Sequence, residues 1–102
     1  MAKKIKIGKV SDFEENVGKL VKVGKKEIAV FKINGNFYAI DDLCTHAGAP
    51  LHEGDVEGTT IVCPWHGAQF DLKTGKVLRP PASEDVNTYK VIIKDEEVYI
   101  EL

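Results

Sequence analysis

The sequence is poor in the residues and runs that mark several large classes of protein. Two cysteines in 102 residues, Cys44 and Cys63, are too few for the disulfide framework of a small secreted scaffold. No stretch reaches the about 18 apolar residues of a membrane-spanning helix, and Met1-Ala2-Lys3-Lys4-Ile5-Lys6 lacks the apolar segment of a secretory leader. A cytoplasmic chain with no membrane partner is expected. Arginine occurs once, at Arg79, and residues 41–72 carry six acids and neither Lys nor Arg, which speaks against nucleic acid as a ligand. There is no G-x-G-x-x-G and no P-loop, and no two-His-one-carboxylate set stands apart from the cysteines, so a nucleotide-dependent or second-metal enzyme is not expected.

What is present suits one small core. The composition is 43% hydrophobic and 29% charged, ordinary for a globular chain of this size. The net charge of −2 hides an asymmetry: residues 1–40 carry 9 Lys against 4 acids, while residues 41–102 carry 12 acids against 5 basic residues. Short runs of strand-forming residues alternate with turn signals. Asn34-Gly35 lies between Ala29–Ile33 and Asn36–Ile40 and predicts a two-residue hairpin, because both turn positions need positive φ. Gly24-Lys25-Lys26, Asp95-Glu96 and the Asp71–Lys76 stretch with Gly75 predict three more reversals. Tyr89, Val91 and Ile93 fall on one face of a strand, and Val98, Ile100 and Leu102 on one face of its return. Ser11-Asp12-Phe13-Glu14 has the form of a capping box, so one short helix ending near Gly18 is expected.

Both cysteines and all three histidines lie in two segments that interrupt the strand pattern. Cys44-Thr45-His46 is a C-x-H and Cys63-Pro64-Trp65-His66 a C-x-x-H, each followed by glycine within two residues of its histidine. A bare disulfide between Cys44 and Cys63 would leave both histidine positions unexplained. Two thiolates and two imidazoles fit either tetrahedral zinc or a [2Fe–2S] cluster with two Cys on one iron and two His on the other. Zinc fingers group the cysteines in one element and the histidines in another; here each segment supplies one of each, which favours the cluster.

The boxes C-T-H-A-G-A-P-L and C-P-W-H-G-A-Q-F-D resemble those of the Rieske iron–sulfur family. The resemblance is close over residues 41–72 and looser in the strands around them. It implies an all-β fold: one Rieske domain over 1–102, with an antiparallel β-sandwich base from 1–40 and 73–102 and an inserted cluster-binding subdomain at about 41–72. It also implies a [2Fe–2S] cofactor, with Cys44 and Cys63 on the inner iron and His46 and His66 on the outer one through Nδ1. Family members of the respiratory and photosynthetic complexes have a further cysteine in each box; this chain has Ala49 and Trp65 there, so no loop disulfide is possible. Those proteins also place Ser and Tyr hydroxyls near the sulfurs, where this chain has Ala68 and Phe70. Fewer hydrogen bonds to sulfur favour the oxidised state, so a potential in the lower part of the family's range of about −150 to +300 mV is expected.

The implied function is that of the soluble Rieske-type ferredoxins: a monomeric one-electron carrier, not itself an enzyme, between a reductase and a terminal oxygenase or other redox protein. A Rieske-like small subunit of a larger redox enzyme such as nitrite reductase, and a zinc-stabilised interaction module, are the alternatives. His52 is read as an ordinary histidine because the ligand set is complete without it, and Asp41 and Asp42 as solvated acids before a loop. Trp65 is expected to shield the cluster, the alternative being an indole presented to a partner, and Pro80-Pro81 to form either a stiff strap beside the cluster or a plain turn.

Overall fold

Hairpin chemistry sets the order of the chain. The computed structural model describes residues 3–45, 48–65, 67–80 and 84–102. Asn34 and Gly35 take φ of 50° and 79° and join strand β3 (Lys26–Ile33) to β4 (Asn36–Asp41), with Ile33 facing Asn36. Asp95 and Glu96, at 52° and 66°, do the same between β9 (Thr88–Lys94) and β10 (Glu97–Glu101). The remaining strands are β1 (Lys4–Lys9), β2 (Gly18–Val23), β5 (Asp55–Glu57), β6 (Thr60–Val62), β7 (Gln69–Asp71) and β8 (Val77–Arg79). Every named pairing is antiparallel, in a six-stranded sheet of order β1-β10-β9-β4-β3-β2 and a four-stranded sheet of order β5-β6-β7-β8.

The fold is all-β as expected, but the short helix after Ser11 does not form. Val10–Asp12 make one 3-10 turn, in which the Asp12 carboxylate accepts the Lys9 N–H at 2.9 Å. Asn16 then takes a φ of 62° and donates its N–H to the Lys32 carbonyl of β3 at 2.7 Å. The segment satisfies its backbone against a neighbouring strand, which removes the reason to coil.

Two cores result, and β3 separates them. Ile28 and Val30 on one face of β3 join Ala39, Val98, Ile100 and Phe13 in the core of the base. Phe13 stands edge-on to Phe37 with ring centroids 5.4 Å apart. Ala29, Phe31 and Ile33 on the other face join Ile40, Leu51, Ile61, Phe70, Leu72, Cys44 and Cys63 in a second core beneath the small sheet. Residues 28–31 are fully buried as a run because both faces of the strand are covered. The wall of the base thus becomes the floor of the region that holds the two cysteines.

Candidate metal centre

The two cysteine segments close in the same way. Cys44 N–H donates to the Ala49 carbonyl at 2.9 Å, and the Cys44 carbonyl accepts from Gly48 N–H at 2.8 Å. Cys63 N–H donates to the Ala68 carbonyl at 2.7 Å, and the Cys63 carbonyl accepts from Gly67 N–H at 3.3 Å. Each cysteine is therefore tied to the residues four and five places on. The turn closes through a left-handed residue in both, Gly48 at φ 69° and Gly67 at 74°, a conformation glycine adopts without strain. Cys44 and Cys63 are each 3% exposed and belong to one apolar cluster with the fully buried Ala49, Leu51, Ala68 and Phe70.

What lies at the base of each turn differs. The second turn joins paired strands, β6 and β7, whose last partners are Val62 and Gln69. The first has only an isolated bridge, Leu43 to Pro50, backed by the Leu51 N–H donating to the Asp42 carbonyl at 2.6 Å. There the Asp42 side chain takes over: its Oδ1 accepts the His52 backbone N–H at 2.8 Å and meets His52 Nδ1 at 2.8 Å. Asp42 is 1% exposed, the one charged residue buried in the described part of the chain. The expectation that Asp42 is merely solvated is thus corrected. The signal was the alternation of β4: continued by one residue, it places Asp42 on the face of Tyr38 and Ile40, which looks into the second core. Asp41, on the opposite face, accepts from the Tyr89 hydroxyl and from Asn87 Nδ2 at 2.9 Å. Burial and that hydrogen bond push the Tyr89 phenol up to about 12.

Toward the surface, Thr45 Oγ1 donates to the Glu84 carbonyl at 2.6 Å, fastening the first turn to the segment before β9. Trp65 is 57% exposed and Leu43 51%. Trp65 meets solvent over more than half its surface, as an indole offered to a partner would. His46, His66 and Ala47, together with Pro81 of the expected proline strap, lie outside the described residues.

Two thiols carried on matched turns into one water-excluding apolar cluster suit an iron–sulfur group, since soft thiolate ligands select such clusters. Comparison with known proteins agrees. The profile of the Rieske [2Fe-2S] domain matches residues 3–90. The ferredoxin component of the naphthalene 1,2-dioxygenase/salicylate 5-hydroxylase systems of Ralstonia sp. is 44% identical over 82 residues, covering 80% of this chain and 79% of that protein. Among solved structures, the ferredoxin of Sphingomonas yanoikuyae B1 superimposes with a TM-score of 0.92 at 34% identity, covering 98% of this chain and 99% of that one. A chain in the complex of reduced oxygenase and oxidized ferredoxin of carbazole 1,9a-dioxygenase gives 0.89 at 35% identity, over 95% and 91% of the two chains. The chain belongs to the Rieske [2Fe-2S] domain family. Its cofactor is the [2Fe–2S] cluster of that family.

Proposed function

We propose that this protein is a ferredoxin of the dioxygenase type, taking one electron at a time from a reductase and passing it to a terminal oxygenase. The observation that carries the reading is the matched pair of turns that brings Cys44 and Cys63 into a single buried cluster. Cys44, His46, Cys63 and His66 are the ligands in this reading. The cluster, when bound, supplies a single reversible electron at a potential set by its mixed thiolate and imidazole ligation. The chain's own part is to hold that group still and dry on one side. Ala68 and Phe70, both fully buried, surround the cysteines without offering a hydroxyl to sulfur, which supports a potential low in the family range.

The carrier is monomeric and cytoplasmic in this reading, and not an enzyme in its own right. Delivery to the oxygenase involves the exposed Trp65 and Leu43 next to the ligand turns, over a contact small enough to part quickly.

Low-temperature EPR of the dithionite-reduced protein, with its visible spectrum, is the test. A brown protein whose reduced form gives the low average g value of mixed Cys/His ligation supports the reading. A colourless, EPR-silent protein containing zinc overturns it, and constant co-purification with a large redox enzyme assigns the chain as a subunit instead of a carrier.

A further inference from the structure

Each ligand turn needs its ends held together, and the two turns solve this differently. Around Cys63 the ends are strands in register, Val62 against Gln69. Around Cys44 one carboxylate oxygen, Asp42 Oδ1, takes both the backbone N–H and the ring Nδ1 of His52, each at 2.8 Å. This closes a loop of eleven residues, 42 to 52, with Cys44 and His46 inside it. The other ring nitrogen, Nε2, lies 3.8 Å from the Glu53 carboxylate. The two partners are also held from outside. Asp42 N–H donates to the Glu27 carbonyl at 3.0 Å, and the His52 backbone packs so closely on Gly18 that a Cβ there would lie 2.5 Å from the His52 carbonyl oxygen.

We propose that Asp42 and His52 are positioning residues for the redox centre, a latch that holds the Cys44 turn in its ligating shape and places a buried negative charge two residues from a ligand sulfur. The proposal rests on the ligand assignment made above. The two side chains act through the backbone that joins them to Cys44. A carboxylate is costly to bury, and here only 1% of it is exposed, so it is retained where its two hydrogen bonds and its charge serve the turn. A fixed negative charge at this place opposes addition of an electron and lowers the potential.

Three single variants and one double variant test it in the cluster-loaded protein, by the rate of iron release to a chelator and by the midpoint potential from voltammetry. His52 is 21% exposed, so its replacement leaves little void. His52→Leu, which removes the ring donor, is expected to release iron about tenfold faster. His52→Asn, which returns a short N–H donor, is expected to recover most of that loss. Asp42→Asn is expected to move the potential in the positive direction, and the double variant to lose iron no faster than His52→Leu, since the two residues act as one unit. Wild-type release rates and potentials in both His52→Leu and Asp42→Asn overturn the proposal. So does faster release in all three with no change of potential and no recovery in His52→Asn, which describes a residue that only supports the fold. A wild-type protein that takes up no iron refutes the ligand assignment itself, and the proposal with it.

Discussion

Gly75 and Val86 are in backbone contact across the junction between the small sheet and the strand that returns to the base. Val86 N–H donates to the Gly75 carbonyl at 2.8 Å, and a Cβ on Gly75 would stand 2.1 Å from the Val86 carbonyl oxygen. Gly75 also has a φ of 77°, so both space and conformation exclude a side chain. Gly75→Ala is expected to cost about 3 kcal/mol or more in a denaturant melt. Gly35→Ala, at φ 79° with nothing within 4 Å, is the control and is expected to cost about 1 kcal/mol. Equal losses would mean that the contact at Gly75 relaxes at no cost.

Alkaline stability follows from Tyr89. Its phenol ionises near 12 in the folded protein and near 10 in an unfolded chain. The folded state holds the proton more tightly, so the stabilisation is complete below about pH 10 and is lost as pH rises toward 12. Denaturation midpoints measured across that window should fall more steeply for the wild type than for Tyr89→Phe, which keeps the ring beneath Lys26 but has no proton to lose. Parallel curves for the two proteins would remove Tyr89 from the account.

The potential responds to hydroxyls near sulfur. Phe70 is fully buried in the cluster of residues that contains both cysteines. Phe70→Tyr is expected to raise the midpoint potential of the loaded protein in film voltammetry, because a donor to sulfur stabilises the reduced state. A negative shift, or none, would show that residue 70 does not reach the sulfur.

Trp65 is exposed at the second ligand turn, where its removal leaves the cores intact. Trp65→Ala is expected to change folding stability by no more than about 0.5 kcal/mol. Its binding to the oxygenase is expected to weaken by about 2 kcal/mol, roughly 30-fold, in a titration of the two components. Unchanged affinity would move the docking surface away from this turn.

The sequence announced whatever is local. Asn34-Gly35 reverses the chain as expected because both residues adopt positive φ readily, whereas at Asp95-Glu96 the pairing of the flanking strands holds Glu96 at φ 66° against its own preference. The two cysteine boxes stood out because ligand chemistry and glycine placement are local too, and the structure adds the convergence of Cys44 and Cys63 in one core. The short helix failed because its rival was distant: the Lys32 carbonyl that captures Asn16 lies on another strand. Asp42 departs from expectation for a related cause. An acid before a loop looks solvated, and its partner His52 is ten residues away at no regular period. The alternation of β4 pointed inward, but only the packing of the small sheet turns that face into an interior.

The two-faced burial of β3 makes the redox region and the base a single unit of breathing. Ile28 and Val30 cannot leave one core without Ala29, Phe31 and Ile33 leaving the other. The amides of β3 are then expected to exchange with solvent only when the whole chain opens, which ties the floor beneath Cys44 and Cys63 to the global stability of the fold. A protein that must surrender electrons many times without surrendering iron gains persistence from that shared strand.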